Sequence, residues 1–132
     1  MSSLSQPIEY YTYEDYKNWE GDWELIDGVV YAMSPSPMIT HQAIMSAITF
    51  ELILSIRNYK DCLVVIKQDW KIKETIVLKP DIALICNELN SAYITKAPLI
   101  VVEVISKSTA LRDEKYKFEI YKNERVPYYV LT

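Results

Sequence analysis

The chain has 132 residues, half of them hydrophobic and 24% charged, with a formal net charge of −4. That length makes one domain (1–132) with a core that needs no staple, and the composition excludes a disordered or fibrous chain. No apolar run approaches the ~20 residues of a membrane span, and the acidity argues against a strong non-specific nucleic-acid binder. The charge is uneven. Residues 1–59 hold two basic side chains against eight acidic ones, whereas residues 60–132 hold twelve against ten. A basic face near Lys107, Arg112, Lys115, Lys117, Lys122 and Arg125 is one reading of the second half; a solvated helix laced with Glu/Lys pairs is the other.

In chain order, Thr12 is placed to cap a helix over Tyr13–Trp19, with Glu14 and Asp15 in its first turn. Trp23–Ile26 and Val29–Met33 flank Asp27-Gly28, the dipeptide favoured in a two-residue hairpin turn. Ser34-Pro35-Ser36-Pro37 reads as a loop. From about Met38 to Ile56, apolar residues recur at three and four (Ile44, Ala47, Ile48, Leu52, Ile56), which predicts the main helix. Strands are expected over Leu63–Ile66, Trp70–Val77, Pro80–Cys86 and Leu99–Ile105, a helix from Ser106 to about Asn123, and a last strand over Tyr128–Leu131. The two cysteines, Cys62 and Cys86, lie in apolar strand-like segments and read as core residues of a cytoplasmic protein, without a disulfide. The N-terminal residues carry no basic start or apolar stretch of a secretory leader. The pattern predicts an α/β (α+β) fold, a mixed sheet with helices on its faces.

One residue breaks the apolar pattern. Glu103 interrupts Leu99-Ile100-Val101-Val102-Glu103-Val104-Ile105, a run that reads as a strand buried on both faces. A buried carboxylate needs a cation, a hydrogen-bond network, a proton or a metal, because its desolvation is costly. Asp81 stands at the start of the neighbouring apolar strand. Strand alternation puts Asp81 with Ala83 and Ile85, and Glu103 with Val101. If those faces coincide, the two carboxylates converge and could hold a divalent cation; a plain salt bridge is the simpler alternative for Glu103. Lys117 lies four residues after Asp113 and four before Tyr121, at the margin of a helical face marked by Leu111, Phe118 and Tyr121.

The residues also carry a resemblance. Glu24-Leu25-Ile26-Asp27-Gly28, His41-Gln42, Lys79-Pro80-Asp81, Val102-Glu103-Val104-Ile105-Ser106, then Ser108-Thr109, Asp113, Lys117, Tyr121 and Val126-Pro127 occur in this order. Together they resemble the Uma-two family of restriction endonucleases, a branch of the PD-(D/E)xK nuclease superfamily, over about Tyr11 to Leu131. The resemblance implies a restriction-endonuclease-like core, metal-bound acids and a homodimer. It makes Asp81, Glu103 and Lys117 the catalytic set, and it adds Glu24 to Asp81 and Glu103 as a third acid near the metal. On the residues alone Glu24 is a strand-edge carboxylate, and His41, the single histidine, reads as structural. Two departures stand out. The superfamily's lysine position two residues after the second acid is Ile105, the lysine being shifted to Lys117, with Lys115 and Lys107 as the other candidates. The family's further hairpin after the Val-Pro strand is absent after Thr132.

These readings give a DNA endonuclease whose Mg²⁺ (or Mn²⁺) neutralises charge and supplies a nucleophilic water. The alternative is a non-catalytic dimeric binding module on the same fold, whose acids are members of a structural ion pair.

Overall fold

The computed structural model describes residues 9–33, 38–105 and 112–132. A short helix α1 (Tyr13–Tyr16) leads into the hairpin β1 (Trp23–Ile26) and β2 (Val29–Ala32), followed by the long helix α2 (Ile39–Ser55). Five strands come next: β3 (Cys62–Ile66), β4 (Trp70–Lys73), β5 (Ile76–Leu78), β6 (Ile82–Cys86) and β7 (Ile100–Glu103). A π-helical stretch, Arg112–Lys117, runs into α3 (Phe118–Asn123), and β8 (Tyr128–Leu131) closes the chain.

Turn chemistry fixes the first hairpin. Asp27 and Gly28 both adopt positive φ, 50° and 81°, as a type I′ turn requires. A Cβ on Gly28 would also press on the Tyr10 ring at 3.0 Å. In α1, the Asp15 carboxylate accepts the Thr12 N–H at 3.0 Å, so the expected start is present although the helix is shorter than predicted.

The fold is mixed α/β, with its strands in two sheets. One has the order β2-β1-β5-β4, with every pair antiparallel. The other, β3-β6-β7-β8, is the mixed sheet, because β8 runs parallel to β7. The expected single strand over Trp70–Val77 is a hairpin instead, since Glu74-Thr75 turn the chain and pair β4 with β5. Met45, Ile44, Ile48 and Leu52 of α2 pack on Ile82, Val102 and Val104 of the mixed sheet. A second core, which includes Trp70, Leu78, Ala83, Val101 and Tyr121, fills the opposite face.

The cysteine expectation fails. Cys62 and Cys86 face each other across the antiparallel β3–β6 pair and are joined by a disulfide. The spacing of two cysteines in a sequence does not reveal the strand register that opposes them.

Candidate active site

The segment Lys79-Pro80-Asp81 joins the end of β5 in one sheet to the start of β6 in the other. Proline suits that crossing, since it leaves the ladder of one strand without having to donate to the next. The site lies at this junction and draws side chains from both sheets and from the C-terminal helix.

Asp81 and Glu103 meet through strand register. The antiparallel pairs Ala83↔Val101 and Ile82↔Val102 carry the next pair, Asp81 and Glu103, to the same level. The Asp81 N–H donates to Glu103 Oε1 at 3.1 Å, and the Val104 N–H donates to Asp81 Oδ2 at 2.8 Å. Each carboxylate is therefore fixed by the backbone of the other's strand. Glu24 arrives from β1 and accepts the Lys79 N–H at 2.8 Å.

Lys117 bridges the two sheets. Its ammonium lies 2.7 Å from Glu24 Oε2 and forms an ion pair with Glu103. The Tyr121 hydroxyl donates to Glu103 Oε2 at 2.7 Å. Glu24, Glu103 and Lys117 are 0%, 1% and 1% exposed, and Asp81 is 6% exposed. The question raised by the buried Glu103 is thus answered by a cation and a hydrogen-bond network. At this depth charge-assisted bonds are strong, and an unpaired member would carry a desolvation penalty of several kcal/mol.

Burial pushes the Asp81 carboxyl above its ordinary pKa; the Val104 N–H, Lys117, His41 and Lys67 work against that rise. Burial, with the nearby charges of Glu103 and Glu24, holds the Tyr121 hydroxyl well above the normal tyrosine value, so it remains a donor. His41, in the first turn of α2, places Nε2 at 3.1 Å from the Val104 carbonyl and 3.8 Å from Asp81 Oδ2. Its Nδ1 is buried with no hydrogen-bond partner among the described residues.

The structure brings together Glu24, Asp81, Glu103 and Lys117. Lys115 is exposed and lines a cleft with Ile26, Lys73, Glu119 and Asn123, away from the four. Lys107, Ser108, Thr109 and Leu111 lie outside the described residues, as does the Asp113 side chain. Two details of the helix differ from expectation. Lys117 is buried outright and not at a margin, whereas Phe118, expected inside, is 45% exposed. A π-helical turn over Arg112–Lys117 widens the spacing on which the four-residue stripe was drawn. The sequence placed Tyr121 on the Lys117 face of the helix and among the family-like residues, but its bond to Glu103 was not expected, because it depends on how the helix packs on β7.

A family model described as "Uma2: Putative restriction endonuclease" matches residues 9–132. The chain belongs to this family. Among solved structures, a protein of Anabaena variabilis described as "a putative nuclease belonging to DUF820" superposes with a TM-score of 0.71 at 17% identity. The match covers 87% of this chain and 68% of that one, and it shows that this Uma2 chain shares the neighbour's fold. No curated protein matches.

The donor set of this Uma2 chain suits a hard cation. Asp81 and Glu103 offer carboxylate oxygens, and Mg²⁺ commonly takes one or two carboxylates with waters and substrate oxygens completing its shell. Among the described residues, no three His, Cys, Asp or Glu side chains are grouped so that they could hold a metal ion together. Glu24 lies against the Lys117 ammonium.

Proposed function

We propose that this Uma2-family chain is a DNA endonuclease dependent on Mg²⁺ or Mn²⁺. The observation that carries the reading is a buried lysine held against a carboxylate whose strand neighbour is a second buried carboxylate. Asp81 and Glu103 would hold the cation, while Glu24, expected as a third acid there, pairs with the Lys117 ammonium. When bound, the ion neutralises charge developing on phosphate and lowers the pKa of a bound water.

The chain's own groups have separate tasks. Lys117 neutralises the phosphate or orients the attacking water, and Glu24 keeps its ammonium aimed inward from the other sheet. Tyr121 fixes the Glu103 carboxylate, and the crossed backbone bonds fix both acids before substrate arrives. The enzyme would act as a homodimer.

A specific observation also favours the second reading, a non-catalytic binding module. The Glu24–Lys117–Glu103 contacts are those of a buried structural ion-pair network. Incubation with supercoiled and linear DNA, with Mg²⁺ or Mn²⁺ and with chelator, separates the two. Cleavage that needs metal and disappears in both Asp81→Asn and Lys117→Met supports the nuclease. Wild-type protein that binds DNA without cutting it under every metal condition supports the binding module.

A further inference from the structure

Asp81 has a neighbour on each side in the mixed sheet. On the β7 side the register sets Glu103 opposite it. On the β3 side the pair Ile66↔Ile82, carried one step further, sets Lys67 opposite it. The Lys67 N–H donates to the Asp81 carbonyl at 3.0 Å. Strand alternation puts Lys67 on the side of Val65, which packs against the core that holds Ala83 and Val101. Asp81 and Glu103 belong to that same side. Lys67, Asp81 and Glu103 therefore form a row across three strands, with the Lys117 ammonium at the Glu103 end.

We infer that Lys67 binds a backbone phosphate of the DNA strand, the one flanking the phosphate at the cation on the side away from Lys117. The inference rests on the nuclease reading and extends its site by one residue. What each lysine is paired with carries the assignment. Lys117 is 1% exposed, and its ammonium is engaged by Glu24 and Glu103. Lys79 is held by Asp22 at 3.1 Å and by Asp69 at 3.6 Å. Lys67 is partly exposed and forms no ion pair among the described residues. Its charge nevertheless reaches the Asp81 carboxyl, where it favours the ionised form against the rise that burial causes. A cation thus stands beside the acids and keeps its ammonium for another group.

Charge balance asks for such a cation. Glu24, Asp81 and Glu103 set three negative charges against the one positive charge of Lys117, a balance of −2 in the buried site. A divalent ion would cancel that balance and leave the anionic substrate backbone without a counter-charge, in a chain whose net charge is −4. Lys67 supplies one. The turn itself gives no reason for a lysine, since its φ of 47° is a left-handed backbone that Gly or Asn adopts more readily.

Lys67→Asn removes the charge and suits that backbone, so the variant should melt with the wild type. Cleavage of a linear duplex in Mg²⁺ is then followed over a series of salt concentrations. Loss of one phosphate contact should raise KM roughly five- to tenfold at about 0.1 M salt and reduce the slope of log KM against log salt by about 0.9. The kcat should stay within about twofold, because a flanking phosphate is held equally in the ground and transition states. Lys67→Arg should keep the wild-type KM and slope. Lys60→Asn, exposed before the far end of β3, should keep them too. An unchanged KM and slope in Lys67→Asn overturns the inference while the wild type still cuts, and leaves the nuclease reading intact. A fall in kcat with the slope unchanged, or no rescue by arginine, also overturns it, since that is a disturbance of Asp81 and not a lost contact. Wild-type protein that cuts no DNA fails the nuclease reading and takes this inference with it.

Discussion

At the scale of single residues, Lys117 decides most. Its ammonium is the cation paired with both Glu24 and Glu103, so removing it leaves two buried carboxylates facing each other. Breaking a buried pair from one side costs about 3–5 kcal/mol. Lys117→Met should therefore lose that order of stability, and adding Glu24→Gln should recover part of it without restoring DNA cleavage. Urea unfolding of both variants checks the first half, and a plasmid assay the second. If Lys117→Met unfolds like the wild type, the ion pair contributes little and its place in the core needs another account. Glu103 is compensated by the Lys117 ammonium and the Tyr121 hydroxyl. Glu103→Gln leaves Lys117 with Glu24 but offers one acceptor oxygen where Glu103 has two, so either the Asp81 N–H or the Tyr121 and Lys117 donors face an amide N–H2, and a loss of about 1–3 kcal/mol is expected in the same urea measurement.

Asp81 gives a pH signature. Burial raises its pKa above the ordinary carboxylate value of 3.8. Between that value and the raised native one, the folded chain holds a proton that the unfolded chain has released. The native state then binds more protons, so this contribution to stability is complete below the unfolded value, declines as pH rises, and is gone above the native value. Asp81→Asn should remove that slope and melt higher than the metal-free wild type at neutral pH. Melting curves taken from acid to neutral conditions check this; parallel curves for the two proteins would contradict it.

At the scale of elements, what the sequence revealed follows from periodicity and turn chemistry. Val29, Val30 and Tyr31 beside Asp27-Gly28 announced a hairpin, and the three–four spacing of Ile44, Ile48 and Leu52 announced α2. Tyr128–Leu131 was bounded as observed. What stayed hidden depends on pairing. Trp70–Val77 read as one strand because the reversal at Glu74-Thr75 carries no Gly, Pro or Asn. The disulfide stayed hidden because Cys62 and Cys86 meet only through the β3–β6 register. For the site, alternation gave the face of each acid and the β6–β7 register makes the two faces coincide, whereas Lys117 sits deeper than the expected α-helical margin, on a π-helical turn. The disulfide spans 24 residues, a loop for which chain-entropy arguments give roughly 3 kcal/mol. Cys62→Ala/Cys86→Ala should lower the denaturant midpoint accordingly and leave the far-ultraviolet spectrum intact. An unchanged midpoint would show that the β3–β6 pairing needs no clamp.

At the scale of the whole molecule, the site joins two sheets. Glu24 belongs to one sheet, Glu103 ends β7 of the other with Asp81 just before β6, and Lys117 and Tyr121 lie in the helical segment after β7. Anything that binds the folded acids but not the unfolded chain must stabilise the entire domain, because unfolding either sheet disperses them. A cation held by Asp81 and Glu103 would add RT ln(1 + [L]/Kd), about 2.7 kcal/mol at a hundred times Kd. For a chain of 132 residues that is a rise in Tm on the order of 10 °C. Mg²⁺ and Mn²⁺ should each raise Tm with concentration in this way, and Asp81→Asn should abolish the shift. Lys117→Met should keep it, since Lys117 is assigned to phosphate and water. The rise should also shrink on acidification, because protons compete with the metal for Asp81. A Tm insensitive to both metals at neutral pH would remove the cation from the proposed reaction and leave the buried network as a purely structural junction between the two sheets.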